Sequence, residues 1–292
     1  MIGPQSSLLP NGKRLHLNHG PIDLVIEAFG DEMEIAAAYR QAVTRFQSIL
    51  TELVAELELL RQPYDEKIQF NSVVAQTMHQ AISPYQGLFI TPMAAVAGAV
   101  AEHILDALLV GRQLDKAYVN NGGDIALNLT GKSKFDVGMI AAITPPTLAG
   151  KLIVFSDDKI GGIATSGRHG RSLSLGIADA VCVLAATATQ ADVAATLIAN
   201  HVNLGMHPAI SRAPAYVMDP DSDLGAHLVT EDVGSLTSDE INEALKAGQI
   251  FAEKLLNRGL ISAASLCLRD EMRFICRDEI KTRIVAKELV YA

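Results

Sequence analysis

The chain is 292 residues long, with a formal net charge of −9, no tryptophan and three cysteines. That length buries a sizeable core, and an acidic balance without a basic tail speaks against nucleic-acid and anionic-membrane binding. The odd cysteine count (Cys182, Cys267 and Cys276), with no Cys-x-x-Cys spacing, speaks against a disulfide framework or zinc site and favours a reduced, cytoplasmic setting.

The first residues lack the charged and apolar regions of a secretion signal, and no apolar run reaches membrane-spanning length without a charge or a proline. Lys13–Leu17 alternates, Asn18-His19-Gly20-Pro21 turns, and Ile22–Ile26 runs back as a paired strand. Ile35, Ala38, Tyr39, Ala42, Phe46, Ile49, Leu50, Leu53 and Leu57 keep helical spacing, which predicts one long helix over about 31–61 before Gln62-Pro63. A second helix is expected over about 72–83. A third is expected from Pro92 to about Gly111, with Thr91 as its cap.

Strands follow at about 116–120 and 124–130 around Asn120-Asn121-Gly122-Gly123, and at 135–143 before Pro145-Pro146. Short strands at about 152–155 and 160–165 flank the Asp157-Asp158 turn, a buried-type strand covers 180–186, and a helix covers 192–200. Residues from about 208 to 235 are punctuated by Pro, Asp and Gly and receive no assignment. A capped amphipathic helix over 238–258 and a hairpin over 264–276, turning at Arg269-Asp270-Glu271, complete the chain. With no repeat, low-complexity tract or linker, a single domain over 1–292 is expected.

Four stretches carry polar chemistry. Ala94, Gly98 and Glu102 share one helical face, which lets either a ligand or a neighbouring element approach the backbone near a helix start; packing is the commoner outcome. Gly122-Gly123-Asp124 reads as a hairpin turn with Asp124 as a polar contact. Thr165-Ser166-Gly167 opens a hydroxyl-rich loop in which Arg168, His169 and Arg171 suit an anion, with His169 as a proton-transfer candidate. Asp192 and Thr196 stand one helical turn apart and offer two hard oxygens to Mg²⁺, although Thr189 and Asp192 also fit a capping box.

In this order, Ala94–Glu102, Val119–Ile125, Ala164–Gly167 and Ala191–Thr196 resemble the motifs of the ApbE-like superfamily, whose founding members are FAD:protein FMN transferases. The resemblance spans about residues 70–205 and looks closest to a smaller branch carrying Thr91-Pro92-Met93-Ala94, Asn121-Gly122-Gly123-Asp124 and Gly176-x-Ala178-Asp179. It implies an α+β fold of T-fold-like type, with antiparallel sheet packed against long helices. It also implies Mg²⁺ held by Asp192, Thr196 and a backbone carbonyl near Ala94; Asp192, and His169 from its place in the loop rather than from the resemblance, are the candidate catalytic residues.

By the same resemblance FAD, or a related phosphorylated nucleotide, lies against Gly122, Gly123, Thr165, Ser166 and Gly167; Asp124, Arg168 and Arg171 are candidate contacts from the residues themselves, the arginines to phosphate. The superfamily's lysine before the helix glycine is Ala97 here, its Asp-Tyr after Thr-Ser-Gly is Arg168-His169, and its His-x-x-Asp-Pro segment is replaced by Gly176–Asp179. The implied activity is therefore FMN transfer or flavin-pyrophosphate cleavage, with a non-catalytic cofactor binder as the alternative. Long Ala-rich helices also admit a homo-oligomer.

Overall fold

The computed structural model describes residues 3–143, 146–277 and 284–286. Strands β1 (Gln5–Leu8), β2 (Leu15–His19) and β3 (Ile22–Gly30) lead into α1 (Glu32–Ala55), α2 (Leu57–Leu60), α3 (Val73–Ile82) and α4 (Val96–Leu109). Then come β4 (Leu114–Asn121), β5 (Asp124–Leu129), β6 (Lys134–Ile143), β7 (Pro146–Phe155), β8 (Gly162–Ser166), β9 (Ala180–Ala185) and α5 (Ala188–His201). The chain continues through β10 (Ile210–Pro214), α6 (Ala215–Met218), β11 (Leu228–Val233), α7 (Ser238–Asn257), β12 (Ala263–Leu268), β13 (Glu271–Cys276) and β14 (Ile284–Ala286). The turn expected at Pro145-Pro146 falls partly outside the described residues, since Pro146 opens β7.

Two compact units form. The first takes the chain up to Lys134 with Phe155–Ala164 and Ala185–Val193; the second takes Phe135–Val154, Thr165–Leu184 and the chain from Ala194. The chain passes from one to the other inside strands and within α5, so no linker composition marks the division.

In the first unit the sheet runs β1-β2-β3-β4-β5-β8, and the pairings along β1 to β8 are antiparallel. Period-2 alternation buries Leu15 and Leu17 of β2, Leu24, Ile26 and Ala28 of β3, and Ala117 and Val119 of β4. Helix α1 lays Ala38, Ala42, Phe46, Ile49, Leu50 and Leu53 into the core at helical spacing, and α4 packs on α1, β4 and β5. Each fully buried Leu, Ile or Phe contributes about 1.5–3 kcal/mol. Pro92–Leu109 is long and apolar enough to cross a membrane, and half of that stretch is buried inside the protein.

The single helix expected over 31–61 is divided at Glu56. Its start is as expected, with the Asp31 carboxylate accepting from Met33 N at 2.8 Å. Glu56 leaves the helical path, and its carboxylate accepts from Asn71 N at 2.7 Å and Ser72 N at 2.9 Å, at the start of α3. A tertiary cap on the next helix thus outweighs helical propensity.

In the second unit β9, β12 and β13 pair antiparallel, with α7 packed on β12 and β13. The hairpin turn at Arg269 has φ +56°, and Thr237 and Glu240 form the capping box of α7. The unassigned stretch forms β10 and β11, an antiparallel pair with a register shift at Ser211/Arg212, and the short α6. A further sheet is ordered β14-β7-β6. The fold is α+β with antiparallel sheets against long helices, as expected.

Candidate functional site

In the first unit α4 and α5 cap one another. Helix α4 begins after a 3-10 turn at Pro92–Ala95, and its N-cap residue Ala95 has no side chain able to accept a hydrogen bond. The Asp192 carboxylate of α5 fills that role, accepting from Gly98 N at 2.9 Å and also from the N–H of Ala97. In return Glu102 of α4 accepts from Thr189 N at 3.1 Å and Thr189 Oγ1 at 2.6 Å in the first turn of α5.

This changes two expectations. The proposed Thr189–Asp192 capping box does not form: α5 starts at Ala188, and Thr187 Oγ1 accepts from Gln190 N at 3.2 Å. The bare face at Gly98 is covered by protein. A Cβ on Gly98 would sit 2.4 Å from the Ala188 carbonyl oxygen, so glycine is required where the two helices cross. Ala94 lies in the 3-10 turn, half-buried, and Thr196 follows Asp192 one turn further along α5, also half-buried.

The Gly122-Gly123 pair forms the tight turn between β4 and β5, with Asn121 opposite Asp124 and Asn120 Oδ1 accepting from Gly123 N at 2.9 Å. Asn121 also donates to the Ala97 carbonyl at 3.1 Å, which ties the turn to the start of α4. Asp124 thereby comes close enough to Asp192 for their charges to interact. Asp192 is densely surrounded by protein, although a part of its surface stays accessible. Burial raises its pKa well above the usual carboxylate range, the Asp124 charge raises it further, and the Gly98 and Ala97 N–H groups only partly oppose this.

A cation beside Asp192 and Asp124 would relieve the repulsion between their charges. Among the described residues no group of three or more His, Cys, Asp or Glu side chains could hold a metal. The donor set of Asp124 and Asp192 still suits Mg²⁺, which is commonly held by one or two carboxylates with waters and substrate phosphates completing its octahedron.

In the second unit Thr165 is exposed at the end of β8, Ser166 follows it, and Gly167 turns at φ +147°. A Cβ there would lie 2.6 Å from the Asp179 carbonyl oxygen, so only glycine fits. The Asp179 carboxylate accepts from Arg168 Nε at 2.8 Å and Arg269 N at 2.5 Å, and pairs with His169 Nε2 at 3.1 Å. Arg168 is 13% exposed and His169 44%, so the arginine is committed to Asp179 while the imidazole keeps a face in solvent. Arg171 is exposed in the same loop.

The structure thus gathers Asp192, Gly98, Gly123 and Asp124 around the start of α4, and Gly167, Arg168 and His169 around Asp179. Sequence reasoning missed Asp179 as the loop's counter-charge and Glu102 as the cap of α5. Both signals were present, as an acidic residue following two basic ones in the loop and as one of two acids, with Asp106, on an otherwise mostly apolar helix.

The fold and these sites define an α+β protein with a carboxylate pair at a helix start. Residues 6–274 match the model of the AbpE bacteria family, and the chain belongs to that family. It is also similar to the UPF0280 protein of Methanothrix thermoacetophila, 30% identical over 218 residues, which make up 73% of this chain and 86% of that protein. The UPF0280 protein of Methanopyrus kandleri is 36% identical over 153 residues, 52% of this chain and 58% of that protein, so the chain spans little more than half of that relative.

Among solved structures, the apo flavinyl transferase ApbE of Pseudomonas stutzeri is 9% identical with a TM-score of 0.44, covering 97% of this chain and 96% of that one. The flavin transferase ApbE of Vibrio cholerae is 12% identical with a TM-score of 0.46, covering 96% of this chain and 100% of that one. At those values neither carries residue roles to this chain.

Proposed function

We propose that this chain is an ApbE-like protein that binds FAD or a related phosphorylated nucleotide together with Mg²⁺. Membership of the AbpE family supports the class, and the Asp124–Asp192 pair at the start of α4 is the observation that carries the reading. Asp192 and Asp124 are the proposed metal-facing groups. Bound there, Mg²⁺ would offset phosphate charge and polarise a phosphoryl oxygen. The Gly122-Gly123 turn leaves its backbone open to close approach, and a Cβ on Gly123 would meet nothing within 4 Å. His169, oriented by Asp179, is the proposed group for moving a proton in the second unit.

A non-catalytic flavin or nucleotide carrier is favoured by one observation. Arg168 is already neutralised by Asp179, which weakens it as a phosphate contact. Absorbance titration of the purified chain with FAD, with and without Mg²⁺, tests the binding reading common to both. Metal-dependent binding is the expected result, and a chain indifferent to FAD at millimolar Mg²⁺ would overturn it. Cleavage of bound FAD to FMN would then separate enzyme from carrier.

A further inference from the structure

Among the described residues, Arg212 of β10, in the second unit, is paired with no carboxylate. Its Nη1 donates to the Leu175 carbonyl at 2.8 Å and to Thr230 Oγ1 at 3.2 Å, and its Nη2 donates to Asn203 Oδ1 at 2.5 Å. Every one of these acceptors is neutral. Among the described residues no Asp or Glu pairs with Arg212, and burial alone shifts its pKa, downwards. A guanidinium has five N–H donors, so Nε–H and one Nη2 hydrogen are left over on neighbouring nitrogens. That pair is the fork that engages two oxygens of one anion.

The surroundings hold the fork rigid. Thr230 N donates to the Ser174 carbonyl at 2.8 Å, and Thr230 Oγ1 donates to the Gly176 carbonyl at 2.8 Å. Leu175 N donates to Asn200 Oδ1 at 3.0 Å, and Asn203 Nδ2 donates to the Leu175 carbonyl at 3.0 Å. Thr230 of β11, Asn200 of α5 and Asn203 just after α5 thus fix the Ser174–Gly176 segment against Arg212. Binding the loop carbonyls alone would need only a neutral amide. A charge taken partly out of water without a counter-charge is costly, and an incoming anion removes that cost.

We propose that Arg212 is the anchor of an oxyanion site that takes a phosphate-type group beside the Ser172–Gly176 loop. The site does not depend on the metal reading, so it is tested in EDTA. Thermal unfolding of the full chain is followed in inorganic phosphate, acetate and chloride at matched ionic strength, for wild type, Arg212→Lys and Arg212→Gln.

Phosphate is expected to raise the wild-type Tm by about 3 °C at tenfold its Kd. Arg212→Lys keeps the charge but loses the fork, so its phosphate affinity is expected to fall about tenfold. Arg212→Gln is expected to show no shift beyond that in chloride. An equal phosphate shift in wild type and Arg212→Gln, or none in wild type, would overturn the site, and an equal acetate shift would overturn its preference for phosphate. If the glutamine variant does not fold, an unchanged phosphate Kd in Arg212→Lys overturns it instead.

Discussion

Asp192 combines two roles that pull its carboxyl in opposite directions. As a cap on α4 it accepts from Gly98 and Ala97 N–H groups, which favours the charged form; burial and Asp124 favour the proton, and they win. A folded-state pKa raised above the unfolded value gives stability that is full below the unfolded value and lost as pH rises through the folded one. At neutral pH without a cation the pair therefore costs the fold free energy. Asp192→Asn keeps an acceptor for Gly98 N–H and removes the charge. It is expected to be more stable than wild type near pH 7 by roughly 1–3 kcal/mol, with the gap closing towards pH 4. Urea denaturation at both pH values checks this, and a variant less stable than wild type near pH 7 would mean that capping outweighs repulsion.

At the scale of elements, the crossing of α4 and α5 is what places the carboxylates. Gly98 allows backbone contact, while Asp192 and Glu102 exchange caps across it. Gly98→Ala would force a Cβ to 2.4 Å from the Ala188 carbonyl oxygen and is expected to cost about 2–3 kcal/mol. A denaturant midpoint indistinguishable from wild type would show that the crossing relaxes easily.

The sequence revealed α7, the β12–β13 hairpin and the Gly122-Gly123 turn well, because capping residues, alternation and positive-φ glycines are local signals. It revealed less where tertiary contacts decide: Glu56 breaks α1 to cap α3, and α5 begins earlier than Thr189 because Thr187 and Glu102 serve its first turn. The β10–β11 pair was illegible, since its register shift and turn-forming residues hide the alternation.

For the whole molecule, family membership and the order of four motifs agree, while the residues after Thr-Ser-Gly diverge from the transferase pattern. Arg168 and His169 looked like an anion cradle from composition alone. Their shared partner, Asp179, recasts them as an internally balanced cluster with one open imidazole face. The site at the start of α4 was legible as residues but not as geometry, because nothing in the spacing of Asp124 and Asp192 shows that a hairpin tip and a helix meet.

Calorimetric FAD binding, with and without Mg²⁺, to wild type and to Asp192→Ala tests that meeting point most directly. Wild type is expected to bind FAD with affinity that rises at least tenfold in Mg²⁺, and the variant to keep its circular dichroism spectrum and lose the Mg²⁺ dependence. The same Mg²⁺-dependent heat from the folded variant would contradict the assignment of Asp192.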